Sequence, residues 1–231
     1  MKIIIIGLGN FGSALGIQLT AAGHEVIGVD SSSVKAEAYK DLITQTIVLD
    51  STNEHALKTL PLRECDYAVV AIGEDFGASV MTTALLKQAN VKHLVSRAIN
   101  ELHSTVLETL GVEMIIRPEK DSASLFADRI LLYGVSNAYH ISDEYKIVEA
   151  FIPGRYDGLT LGEINFKEKY KLQPITAIRE YEGKSVFGQP RIMKKVLGLL
   201  TDAFILKTGD RLLLFGSSSA IEAFLGLEDN L

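Results

Sequence analysis

The stretch Lys2-Ile3-Ile4-Ile5-Ile6-Gly7-Leu8-Gly9-Asn10-Phe11-Gly12 decides how the rest of the chain is read. Its four isoleucines form a short, β-branched, continuously apolar run, which predicts a strand buried on both faces. The run breaks at Gly7, and an amphipathic segment over Phe11–Ala22 follows and closes at Gly23, a residue suited to a helix C-cap. A G-x-G-x-x-G turn between a strand and a helix has a physical use. Gly7 permits the tight turn, Gly9 lets the backbone approach a pyrophosphate, and Gly12 lets helix and strand pack closely. Amide N–H groups at the helix start, around Asn10 and Phe11, then point at phosphates, and the helix dipole adds to the attraction.

Eighteen residues past Gly12, Asp30 ends the next apolar run, Glu25–Val29, with Ser31 beside it. A carboxylate there accepts hydrogen bonds from both ribose hydroxyls and repels a 2′-phosphate, favouring NAD, NADH, ATP, ADP or AMP over NADP. Glycines cluster in many structural turns, so the motif alone is weak; the strand before it and the helix and Asp30 after it give it meaning.

Outward from this turn, further apolar runs lie at Thr46–Leu49, Tyr67–Ile72, His93–Arg97 and Glu113–Ile116. Helical stretches separate them: Val34–Asp41, Glu54–Leu60, Phe76–Asn90 and Glu101–Leu110. This alternation predicts an α/β domain over residues 1–118, a Rossmann-type doubly wound parallel sheet. Ligands of such sheets sit at the carboxyl ends of the strands, which makes Asp50, Ser51, Ile72, Gly73, Arg97 and Glu119 candidate site residues. Each has a plainer alternative. Ser51 or Thr52 suits a helix N-cap, Gly73 a plain turn, Arg97 a surface ion pair with no function, and Glu119, the candidate to hold a metal bridging phosphates, a cap on its own helix.

Pro118 stops the sixth strand, and Glu119–Tyr133 reads as a helix with Ala123, Phe126, Ile130 and Tyr133 on one face. Two readings are open: packing on its own sheet, or carrying the chain into a second domain as part of a subunit contact. Gly134–Asp143 suits a hinge, so residues 119–143 are expected to be crossover helix and hinge, and residues 144–231 a smaller α+β domain. Strands are expected there at Tyr145–Ile152, Ile175–Glu180 and Arg211–Phe215, with helices at Leu161–Tyr170 and Ser219–Leu225. Residues 183–206 show no readable period.

A formal charge of −6 argues against nucleic-acid binding, which needs a surplus of Lys and Arg. Cys65 is the single cysteine, so no intramolecular disulfide forms, which suits a reducing compartment. Nothing approaches the roughly 20 consecutive apolar residues of a membrane span. None of the five histidines has metal-ligand spacing. Arg191, Lys194 and Lys195 form a basic cluster, read as a solvated face or an anion site.

These motifs resemble the RCK (regulator of K⁺ conductance, TrkA/KtrA-like) subunits of bacterial Trk/Ktr potassium uptake systems over nearly the whole chain. The similarity is carried by Ile6–Gly12, Gly23-His24-Glu25-Val26, Val69–Gly73 and Arg117-Pro118-Glu119-Lys120-Asp121. Gly158–Ile164 and Thr208–Ser217 carry it into an RCK C-terminal module. The resemblance implies a cytoplasmic, non-enzymatic regulatory subunit, held at the inner face of the plasma membrane by a potassium-translocating partner. It implies homodimers assembling into an octameric ring whose shape responds to ATP, ADP, NAD or NADH. Gly7, Gly9, Gly12, Asp30, Asp50, Arg97 and Glu119 fall on the family's nucleotide-site positions, with Mg²⁺ or a monovalent cation as a further candidate at the phosphates. Several ATP-responsive members have Arg, reaching a γ-phosphate across the dimer, where this chain has Asn10. Some members bind cyclic di-AMP at the C-terminal dimer seam, but residues 183–206 do not align with that pattern. The alternatives are an NAD-dependent oxidoreductase, which needs a general acid or base in the second domain, and a stand-alone nucleotide-binding module. Beyond His140 the chain has neither His nor Cys.

Overall fold

The computed structural model describes residues 1–184, the last by its backbone alone, and residues 189–226. The chain forms two compact units, Met1–Lys120 and Asp121–Leu231.

In the first unit, β1 (Lys2–Ile6), β2 (Glu25–Asp30), β3 (Gln45–Val48), β4 (Tyr67–Val70), β5 (His93–Arg97) and β6 (Met114–Ile116) form one sheet. Its order is β3-β2-β1-β4-β5-β6 and every pairing is parallel. Successive strands run to one edge and then restart on the other side of β1, so the strand order reverses between β1 and β4. A crevice forms at that reversal. The isoleucines explain why β1 is central. Ile4 and Ile6 enter one apolar cluster with Val29, Val70 and Leu94, while Ile3 and Ile5 enter another with Val26, Val69 and Val95. Side chains alternate across a strand, so four buried isoleucines serve both faces, each contributing about 1.5–3 kcal/mol.

Five helices cover the sheet: α1 (Asn10–Ala21), α2 (Ser33–Tyr39), α3 (Glu54–Leu57), α4 (Phe76–Gln88) and α5 (Glu101–Thr109). The turn from β1 into α1 depends on glycine. Gly7 has φ +100°, a conformation that side chains resist. A Cβ at position 12 would lie 1.9 Å from the Gly7 carbonyl oxygen, so backbone meets backbone there. A Cβ at position 9 would meet nothing within 4 Å.

The helix α6 (Pro118–Leu131) contains the boundary between the units. Its residues Phe126 and Ile130, and Tyr133 just beyond, are exposed. The second unit has a five-stranded sheet of β7 (Val135–His140), β8 (Tyr145–Phe151), β9 (Gln173–Lys184), β10 (Pro190–Val196) and β11 (Arg211–Ser217). The order is β10-β9-β11-β8-β7, all antiparallel. With it go α7 (Leu161–Ile164), α8 (Phe166–Tyr170) and α9 (Ser218–Leu225), whose Phe224 and Ile221 join the core. The fold is thus the expected Rossmann-type sheet with a second, smaller α+β unit.

Three expectations need correction. The hinge over Gly134–Asp143 is largely the edge strand β7. Its polar residues are ladder partners rather than loop residues: the Ser136 hydroxyl donates to the Glu149 carbonyl at 3.1 Å and the Asn137 amide to the Glu149 carboxylate at 2.8 Å. Val135 and Ala138 supply the burial. The helix expected over Leu161–Tyr170 is two helices, parted at Asn165, which takes φ 54°. The unreadable stretch holds the end of β9 and all of β10, which is exposed along its whole length and so carries no alternating burial; residues 185–188 lie outside the described residues. Arg191, Lys194 and Lys195 are on this exposed strand, consistent with a solvated face.

In the first unit, His103 is fully buried beside Phe76, with ring centroids 4.7 Å apart and the ring planes tilted by 51°. The Ile99 amide donates to its Nδ1 at 3.3 Å, which leaves the proton of the neutral ring on a buried, unpartnered Nε2. Burial holds the imidazole below its usual range.

Two outcomes follow. Gly12→Ala is expected to lower unfolding stability by about 3 kcal/mol and Gly9→Ala by less than about 0.5 kcal/mol, as read by chemical denaturation. The unfolded state binds a proton at residue 103 more readily than the folded state does. Stability should therefore be level above about pH 6.5 and fall as the pH drops towards the depressed folded value. His103→Asn, which keeps an acceptor for the Ile99 amide, should flatten that slope; an unchanged slope places the titration elsewhere.

Candidate functional site

A cleft of about 590 Å³ opens at the carboxyl ends of the central strands, within the first unit. That volume falls in the range of small-ligand sites, roughly 300–1,000 Å³. Gly7, Gly9, Asn10, Phe11, Asp30, Ser31, Asp50, Ser51, Ile72, Gly73, Arg97 and Glu119 all line it. Gly12 does not; it sits behind the turn as the point of helix–strand contact.

The floor is the start of α1. Helices leave their first N–H groups without backbone partners, and side-chain caps usually meet them. Here α2, α3, α4 and α5 are capped by Ser32, Asn53, Asp75 and Asn100. The α1 N-cap is Gly9, with no side-chain hydrogen bond, and the first turn of α1 holds no acidic residue. Its amides and the positive end of its dipole are left to whatever occupies the cleft. The preceding turn is pinned: the Gly7 amide donates to the Val29 carbonyl at 2.7 Å and the Leu8 amide to the Asp30 carboxylate at 2.8 Å.

Asp30 is 8% exposed, and its other oxygen accepts the Ser32 amide at 2.8 Å. Each carboxylate oxygen thus takes one backbone N–H and keeps acceptor capacity for a hydroxyl in the cleft. Two amides fix its orientation before any ligand arrives.

Asp50 is exposed and accepts from both the hydroxyl and the amide of Thr52, at 2.7 and 2.9 Å. These bonds, the hydroxyl first, hold the Asp50 carboxyl below its usual range. Ser51 is buried, its hydroxyl 2.7 Å from that of Thr82. Neither Ser51 nor Thr52 caps α3; the Asn53 side chain does, accepting from His55 and Ala56.

Arg97 reaches the cleft from β5, with its side chain 16% exposed, and pairs with Glu119 in the first turn of α6. A Cβ on Gly73 would lie 2.4 Å from Nη1 of Arg97. Gly73 and the Arg97 guanidinium thus lie side by side in the cleft wall. Glu119 is engaged with Arg97 rather than capping its helix. Nor does it belong to a metal cluster, since no group of three or more His, Cys, Asp or Glu among the described residues is placed to hold an ion.

Lys35, Thr52, Glu74 and Asp75 also line the cleft and were not anticipated. Lys35 follows Asp30 at no motif spacing, while Asp75, directly before an apolar helical run, carried the ordinary N-cap signal. Carboxylates outnumber cations on the walls, so the donors for an anion are chiefly the α1 amides, with Arg97 and Lys35 beside them.

Residues 3–118 match the TrkA-N domain family. The chain is 34% identical to the Ktr system potassium uptake protein C of Bacillus subtilis over 96% of its own length and 95% of that protein. It is 37% identical to the Ktr system potassium uptake protein A of the same organism, over 73% of this chain and 76% of that one. Among solved structures, the GsuK channel bound to NAD superposes with a TM-score of 0.62 at 16% identity, covering 97% of this chain and 39% of that one. At such identity the likeness is one of fold.

Thr52→Val removes the hydroxyl that contributes most to the Asp50 shift. Asp50 should then titrate closer to an ordinary carboxylate in a carbon-detected NMR titration; no movement would show that the Thr52 amide alone sets it.

Proposed function

The chain belongs to the TrkA-N domain family, and from that premise we propose that it is a nucleotide-binding regulatory subunit of a membrane potassium uptake system, not an enzyme. The observation that carries this reading is the pairing of an uncapped α1 N-terminus with the pre-oriented Asp30 carboxylate in one cleft. The α1 amides receive a diphosphate, Asp30 receives the ribose hydroxyls, and Asp50 and Ser51 border the base. An adenine nucleotide such as NAD, NADH, ADP, ATP or AMP has these parts. The relatives' names, which are those of potassium uptake proteins, support the transport context.

The oxidoreductase reading has less support. The cleft lining includes no His, Cys or Tyr to serve as acid or base beside a nicotinamide. The partner in this proposal is a potassium-translocating membrane subunit, which holds this chain at the inner face of the membrane. No described helix is itself long and apolar enough to cross a bilayer. The exposed Phe126, Ile130 and Tyr133 support self-association, in the proposed arrangement as dimers of an octameric ring. Regulation then needs a nucleotide that binds two ring shapes with different affinity, and couplings of about 1–3 kcal/mol give roughly 5–150-fold modulation.

Calorimetric titration with ADP, ATP, AMP, NAD and NADH in chelator-containing buffer tests the site. Asp30→Ala should weaken binding about 10–150-fold by removing charge-assisted bonds to ribose. Gly9→Ala, which the fold tolerates, should abolish it by placing a methyl where the pyrophosphate sits. Unchanged affinity in both variants would overturn the proposal.

A further inference from the structure

His103, the third residue of α5, is fully enclosed, and its ring has no acceptor to spare. The Ile99 amide, from the connection between β5 and α5, donates to Nδ1 at 3.3 Å, and Nε2 is buried without a partner. The ring lies beside Phe76, the first residue of α4. Next to Phe76, the residues Glu74, Asp75 and Ala78 line the cleft. One imidazole therefore supports both the connection after β5 and the start of α4. A second proton on this ring would sit on Nδ1, the atom that receives the Ile99 amide, so that donor would face donor. It would also place a charge in an enclosure with no counter-charge. From α4 the ring meets Phe76, β6 is Met114, Ile115 and Ile116, and the Asn100 side chain already accepts the His103 amide. The carboxylates of these segments are engaged elsewhere: Asp75 with the Ala78 amide, Glu101 with Arg117 and Lys120, and Glu108 with Ser104. Burial is accordingly the one influence that holds the ring below its usual range.

We propose that His103 is a positioning residue for the cleft whose neutral form is the binding-competent one, so that acid weakens nucleotide affinity through a group that never meets the ligand. The inference rests on the nucleotide reading of the cleft and adds a regulatory input to it. In the neutral form the ring holds the Ile99 amide and backs Phe76. On protonation the Ile99 bond is lost and the ring leaves its enclosure for water. Phe76 then loses its support, and the start of α4, with Asp75, loosens. A ligand must order that wall as it binds, and its affinity falls. The sign follows from which form each partner prefers. Nucleotide binds the neutral, ordered form and the proton the loosened one, so affinity is full above about pH 6.5 and drops as the pH falls through the lower folded value. The coupling is reciprocal, so bound nucleotide must make the ring harder to protonate.

Equilibrium dialysis of the full chain with radiolabelled ADP in metal-free buffer, at about pH 7.5 and about pH 5, compares the parent with His103→Asn, whose amide oxygen accepts the Ile99 amide at either pH. Ionisation of the ADP phosphate is common to both proteins and cancels in their ratio. The parent should lose about three- to tenfold more affinity than His103→Asn over that interval. Equal losses in the two proteins overturn the proposal. A second measurement needs no variant: a histidine-selective NMR titration of the parent, with and without saturating ADP. The nucleotide should move the His103 midpoint to lower pH, and a midpoint that stays or rises overturns the coupling. The two proposals fail in different ways: ADP binding that is absent, or indifferent to Asp30→Ala, sinks the nucleotide reading, whereas Asp30-dependent binding that weakens equally in the parent and in His103→Asn sinks only the role of His103.

Discussion

The structure depends on one close approach, that of the α1 backbone to the carbonyl oxygen of Gly7. A methyl at position 12 would stand 1.9 Å from that oxygen, so only glycine lets the helix start where it does. This position aims the uncapped end of α1 into the crevice left by the reversal of strand order between β1 and β4. It also brings the Leu8 amide to the Asp30 carboxylate, which orients that group without any ligand. Preorganisation of this kind lowers the entropy lost on binding. The four isoleucines of β1, buried on both faces of the sheet, hold the strand that the turn leaves.

Much of this was legible in the chain. The isoleucine run, the three glycines and Asp30 each obey a local rule with one physical cause, so their places in the fold could be read residue by residue. The cleft wall was less legible because its contacts are non-local. No spacing announces that the Arg97 guanidinium will lie against Gly73, or that Lys35 will face the same cavity as Asp50. In the second unit the difficulty was different. The strand β7 reads as a hinge because Ser136 and Asn137 are polar, yet both bond to Glu149 across the ladder. The strand β10 lacks the alternation that identifies a half-buried strand, since it is exposed throughout.

Charge placement shapes what the cleft can do. Apart from Arg97 and Lys35 its ionisable walls are acidic, with Asp30, Asp50, Glu74, Asp75 and Glu119 facing the same space. Anion binding in such a setting relies on oriented backbone dipoles, which carry no counter-charge of their own and cannot be titrated away. On the nucleotide reading proposed above, the acidic surroundings select by penalty, favouring a ligand that presents its phosphates to the amides and its hydroxyls to Asp30. Arg97 lies where the cleft meets α6, and α6 is the segment through which the chain leaves the first unit.

The most direct measurement is a crystal structure of the chain grown with ADP. The account predicts the diphosphate on the amides of the α1 first turn and both ribose hydroxyls on the Asp30 carboxylate. A nucleotide bound elsewhere, or one in the cleft with its ribose away from Asp30, would contradict it.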